Sequence, residues 1–194
     1  MRTRFIATAL CVALSACASL DPTTISKLAA LDIMTTDPSR LSVAAVMPAP
    51  IRLRTGDVVL HLAYDAPAPY GPIDETIALA VDAGEGAPGI VAKPGVERIQ
   101  TARVAAGDVA RLKAALAKAA AFRDTGARGG KGSLSVTITG GCRDGMLKDT
   151  PLIAAIYMRT APDEPYFPLV ASLDFRKVVG EAALAKLPPC ATEG

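Results

Sequence analysis

The stretch GDVARLKAALAKAAAFRDTG (residues 107–126), running into ARGGKGSLSVTIT (residues 127–139), decides the fold class. In its first half Val109, Leu112, Leu116 and Ala119 recur at helical spacing, and Arg111, Lys113 and Lys118 sit off that stripe. Seven alanines from Ala110 to Ala121 lower the entropic cost of helix formation. Asp108 is placed as the N-cap and Gly126 as the stop. In the second half the period drops to two. Leu134, Val136 and Ile138 alternate with Ser133, Ser135, Thr137 and Thr139, the pattern of a strand with its apolar face inward. A chain carrying both periods back to back has a helix to lay on a sheet.

Outward from this stretch the chain reads mostly as short strands. Leu41 to Met47 is one, stopped by Pro48 and Pro50, and Arg52 to Arg54 extends the pairing before the turn Thr55-Gly56-Asp57. Val58 to Tyr64 puts Val58, Leu60 and Leu62 on one face and Val59, His61 and Ala63 on the other. Glu75 to Asp82 alternates through Ile77, Leu79 and Val81. Val96 to Val104 has mixed faces and is placed at a sheet edge. Pro151 to Thr160 and Phe167 to Leu173 flank a proline-containing turn. Asp174 caps a last helix running to about Leu187, where Pro188-Pro189 stops it. Short strands joined by turns predict an α+β fold, a mainly antiparallel sheet of about seven strands with two helices. The alternative is a β-sandwich with a peripheral helix.

The N-terminus reads differently. Arg2 and Arg4 make a positive leader, Phe5 to Ala13 an apolar run, and Leu14-Ser15-Ala16-Cys17 a small-residue site. That order is an export signal with a processing site. The apolar run is well short of the ~20 residues a spanning helix needs. The tetrapeptide resembles the lipobox of bacterial lipoprotein precursors, a resemblance that covers residues 1–17. It implies that residues 1–16 are a signal peptide, that Cys17 is lipidated, and that residues 17–40 form a tether in which Ile25, Leu28 and Leu31 offer helical turns. Residues 41–194 then form a single globular domain in the cell envelope. Because Ala18 and not Asp follows the cysteine, the resemblance favours the periplasmic face of the outer membrane. The lipid bilayer, through acylated Cys17, and an envelope protein are the partners it implies.

Two further readings follow from that processing. The chain carries 21 Lys+Arg and 19 Asp+Glu, so losing Arg2 and Arg4 leaves 19 of each. No basic excess argues for nucleic acid. Of the four cysteines, Cys11 leaves with the leader and Cys17 takes the lipid. Cys142 and Cys190 remain in a compartment that permits disulfides, and they are predicted to pair. A redox pair would have Cys-x-x-Cys spacing. A zinc site would need more ligands than the chain's one histidine, His61, offers.

Signals for chemistry are weak. Gly126 to Ser133 looks like a phosphate loop but is one residue short, has Gly132 where Ser or Thr belongs, and precedes a strand instead of a helix. Arg123, Arg128 and Lys131 make it a basic loop, read as a contact for anionic headgroups or glycans. His61 lies mid-strand with no nucleophile elbow in the chain and reads as a partly exposed strand residue. The carboxylate pairs Asp74-Glu75, Asp82/Glu85 and Asp163-Glu164 fall in or beside turns, where acidic residues are ordinary. No catalytic, metal or cofactor motif emerges. The expected role is that of a non-enzymatic structural, assembly or protein-interaction domain. The alternatives are a module holding a small apolar or anionic ligand between sheet and helix, and a hydrolase with a dispersed site.

Overall fold

A computed structural model describes residues 33–82, 86–127, 130–147 and 151–191. The fold is α+β and the strand pairings are antiparallel. A five-stranded sheet has the order β10-β9-β1-β6-β5, built from β1 (Ser42–Pro48), β5 (Ala80–Asp82), β6 (Glu97–Arg103), β9 (Ile153–Arg159) and β10 (Phe167–Asp174). A three-stranded sheet, β4-β3-β7, contains β3 (Val58–Asp65), β4 (Ile73–Ala78) and β7 (Lys131–Ile138). The short β2 (Ile51–Arg52) and β8 (Cys142–Arg143) pair separately. The long helix is α1 (Ala106–Asp124), and two short helices, α2 (Phe175–Val179) and α3 (Glu181–Ala185), follow β10. The two larger sheets share one core with α1. Val43 and Met47 of β1, Leu60 and Leu62 of β3, Ile77 of β4, Met158 of β9 and Leu112 and Leu116 of α1 belong to the same buried cluster.

The ten strands among the described residues outnumber the seven expected because two runs divide and the short β8 forms where a turn is expected. Ile73 to Asp82 breaks at Leu79, whose amide bonds the Val58 carbonyl at 2.8 Å. Before that point the chain pairs with β3, and after it with β6, so one extended run serves both sheets. Ser42 to Arg52 breaks in the same way at Ala49-Pro50.

Three local expectations need correction. The helix starts at Ala106 with Ala105 at the N-cap position, and Asp108 lies within the first turn. There its carboxylate bonds Arg111 at 3.0 Å, and its charge favours the helix N-terminus without capping it. β6 is not an edge strand. It lies between β1 and β5, although β5 covers only Thr101 to Arg103. Its mixed faces have a different cause: Gln100 faces the core, and both ends of its amide are bonded there. The final helix is two helices. Gly180 adopts φ 78°, ψ 156°, a conformation essentially reserved for glycine, and the chain bends there.

Residues 33–40 form two 3-10 turns, Ile33–Thr35 and Pro38–Arg40, packed on α1 with Pro38 fully buried. The expected helical turns at Ile25, Leu28 and Leu31 lie outside the described residues.

Candidate functional site

β7 has the alternation expected of it, but its inner side chains are unevenly housed. On the neighbouring β3, Val58, Leu60 and Leu62 are buried, whereas Leu134, Val136 and Ile138 of β7 are only partly so. β7 is an edge of the three-stranded sheet, as β10 is of the five-stranded one. Between these edges and α1 lies a cavity of about 580 Å³. Leu62, Leu134, Val136, Leu116, Ala119, Met158 and Leu169 give it apolar walls. Its volume falls inside the ~300–1,000 Å³ range of small-molecule sites. Met34 and Met158 supply flexible, polarizable surface that adapts to a ligand's shape.

The end of the cavity nearest the glycine-rich loop is built differently. Tyr64 and Phe122 meet edge-on with ring centroids 6.3 Å apart, and Tyr70 adds a third ring 5.7 Å from Phe122. Gly130 and Gly132 lie flat against these rings. A methyl group at Gly130 would overlap the Tyr64 hydroxyl and the Phe122 ring, and one at Gly132 would overlap Tyr64. Two glycines of the loop that looks like a phosphate loop, Gly130 and Gly132, therefore have a packing reason: they let the chain enter β7 beneath a tyrosine. Arg123, at the C-terminal end of α1, also lines the cavity and pairs with Asp124 at 3.1 Å. The result is an apolar chamber with a cation, Ser133 and a phenol at its margin.

Of the anticipated contact residues, Arg123 reaches this chamber and Lys131 stands exposed at the start of β7, between two lining glycines. Arg128 and Cys17, the expected lipidation site, lie outside the described residues. Cys142 and Cys190 form a disulfide. The backbone beside it is also tied: the Arg143 amide bonds Pro188 O at 2.9 Å, and the Cys190 amide bonds Arg143 O at 3.0 Å. Leu134, Val136, Met158 and Leu169 went unmarked as site residues, because in sequence a cavity wall and a filled core look the same.

The polar candidates are dispersed. The His61 side chain is partly exposed, with Nε2 2.6 Å from an exposed Asp74 Oδ1. Ser135 and Thr76 stand opposite His61 in register. These residues share the outer face of the sheet, away from the cavity, so no enclosed site assembles around the imidazole. Glu75 pairs with Arg111 at 2.8 Å, Asp82 with Arg103 at 3.1 Å, and Asp163 with Arg40 at 2.9 Å. Glu97 is held below the ordinary carboxylate value by the Lys93 amide, with the Lys93 ammonium adding to the effect against a small burial penalty. Each of these carboxylates serves an ion pair or a turn, and among the described residues nothing in the arrangement points to an enzyme. Among the described residues no group of three or more His, Cys, Asp or Glu gathers to hold a metal.

A second groove, of about 720 Å³, opens at the Pro48 end of the five-stranded sheet. Met146 at 89%, Val96 at 60% and Ile153 at 42% exposure line it, beside Pro48, Pro50 and Pro151. No family model matches the chain, and neither does any curated protein or solved structure.

Proposed function

We propose that this chain is a lipid-anchored envelope protein whose domain binds a single-chain amphiphile, the apolar chain in the cavity between α1, β7 and β10 and the anionic head at the Arg123 margin. One observation carries the reading: the inner face of β7 is apolar yet only half-buried, and it borders an apolar space large enough for a ligand. A filled interior would have favoured a purely structural domain. The amphiphilic character follows from the walls, since apolar surface favours a chain and a rim cation favours a negative head. The anchor rests on the sequence Leu14-Ser15-Ala16-Cys17.

A single mass-spectrometric experiment addresses both parts. Protein purified from membranes should carry acyl mass on Cys17 that Cys17→Ser lacks. Under native conditions it should also carry a non-covalent amphiphile. Leu134→Trp, which intrudes into the cavity from β7, should lose that adduct and weaken binding of a fluorescent fatty acid by about tenfold or more, with thermal stability kept. An empty wild-type protein that also ignores the probe would overturn the ligand reading. So would a Leu134→Trp protein that binds it equally well.

A protein-partner role is favoured by a separate observation, the exposed Met146, Val96 and Ile153 along the second groove. It is compatible with ligand binding, because the two surfaces share no residue.

A further inference from the structure

We propose that a small polar cavity on the opposite face of β9 is a binding site for a phosphate group, with Arg159 as its principal ligand. Alternation along β9 separates the two sites: Met158 lines the apolar cavity and Arg159, the next residue, lines this one. The proposal therefore stands independently of the amphiphile reading.

Register builds the site. Ser42 of β1 stands opposite Arg159 of β9 on one side and opposite Arg103 of β6 on the other. One serine is thus flanked by two guanidinium-bearing residues in a single cross-strand row. Arg40, from the 3-10 turn Pro38–Arg40, joins them in a cavity of about 180 Å³ that Thr101, Tyr166 and the carboxylate-bearing Asp82 also line. Three cations are brought together by three separate segments of the chain, with two carboxylates to offset them. Arg40 is paired with Asp163 and Arg103 with Asp82.

Arg159 is the one left over. It lies 4.7 Å from the Tyr166 ring centroid and donates from Nη1 to the Pro162 carbonyl at 3.1 Å. It makes no ion pair among the described residues, and its buried Nε has no hydrogen-bond acceptor. The tyrosine is held in turn by its hydroxyl, 2.7 Å from Ser42 Oγ. Stacking on an aromatic ring fixes the plane of a guanidinium and leaves its donors to be matched by an oxoanion. Held in place and without a carboxylate partner among the described residues, the guanidinium has charge left for an anion in the cavity to match.

The site's shape selects the ligand class. The volume, about 180 Å³, is roomy enough for one phosphate group. Arginines on two sides of a serine hydroxyl present donors from three directions, which suits the oxygens of a tetrahedral phosphate better than a planar carboxylate. The phosphate is either free or the headgroup of a phospholipid, the second being at hand for a membrane-tethered domain.

The test uses the full chain bearing Cys17→Ser, so that acylation does not itself draw it to lipid. Inorganic phosphate is titrated while the arginine Nε–H resonances are followed by NMR, with chloride at matched ionic strength as control. In a parallel arm the protein is floated with vesicles of phosphatidylcholine alone or doped with phosphatidylglycerol. Saturable movement of the Arg159 Nε–H signal identifies free phosphate as ligand. Flotation with the doped vesicles alone identifies the headgroup. In either case Arg159→Gln should weaken binding by about tenfold or more, the loss of one charge-assisted contact, without lowering the melting temperature. If Arg159→Gln proves poorly folded, Arg103→Gln serves the same comparison from the other side of Ser42. Absence of binding in both arms would sink the proposal, as would binding that both substitutions leave unchanged.

Discussion

Gln100 occupies a position where a strand would ordinarily place an apolar side chain. It is buried on β6, paired with β1 but beyond the reach of β5, and its amide group takes the role of a neighbouring strand. Oε1 accepts from the Leu53 amide at 2.8 Å, and Nε2 donates to the Leu53 carbonyl at 2.9 Å. Two backbone groups of a buried loop residue are thereby satisfied by one side chain. In sequence the same glutamine is only a polar interruption, which is why residues 96–104 read as an edge. The partner lies 47 residues away, and no local pattern announces it. Gln100→Leu keeps the volume and removes both bonds. Urea denaturation should then show a loss of roughly 2–4 kcal/mol, because each buried backbone group left unpaired costs about 1–3 kcal/mol. A loss under about 0.5 kcal/mol, the ordinary range of surface substitutions, would mean that water replaces the glutamine. Gly130 makes the complementary point. Its lack of a side chain was legible, but the reason, a tyrosine lying across it, required Tyr64 of a different strand.

At the level of elements, periodicity located the regular pieces well and their breaks poorly. The long helix, the strict alternation of β3 and the inner face of β7 are all visible in sequence, because burial of one face imposes its period on the residues. The break at Leu79 is not visible, since Ile77, Leu79 and Val81 continue the alternation while the chain passes from one sheet to the other. The break at Gly180 was readable in principle. A glycine within a helical pattern lowers confidence in continuity. Gly180 also carries the turn that lets α3 fold back beside α2, where Arg176 pairs with Glu181. Gly180→Ala forces a side chain into a conformation that costs about 1–3 kcal/mol, and chemical denaturation should report a loss of that size. Val178→Ala, at an exposed position, is the control and should change stability by no more than about 0.5 kcal/mol. Equal effects at the two positions would remove the backbone explanation.

For the molecule as a whole, the disulfide links the turn after β7 to the end of the chain. Cys142 and Cys190 are 48 residues apart in sequence, and a covalent closure of that span restricts the unfolded ensemble. Local hydrogen bonds at Arg143 and Cys190 hold the same geometry in the folded state. The bond therefore acts chiefly on the unfolded chain, and its removal should leave the folded structure intact. Cys190→Ser should lower stability by roughly 2–4 kcal/mol, which in a domain of this size is a drop of about 5–15 °C in melting temperature. The wild type under reducing conditions should fall by the same amount. A melting temperature unchanged by both treatments would show that the backbone contacts alone fix the C-terminus.

Consecutive residues alone carried the class of fold, the inward face of most strands and the disulfide partners. These are properties of local period, composition and arithmetic, and they are written into consecutive residues. Long-range packing alone settled that the inner face of β7 borders an open cavity, and that Arg40 of a 3-10 turn, Arg103 of β6 and Arg159 of β9 gather around one serine. Both depend on which distant segments become neighbours. An apolar residue has the same sequence signature whether its neighbour is a side chain or a void, and an arginine has the same one whether or not its nearest cross-strand residue leaves a charge unmatched.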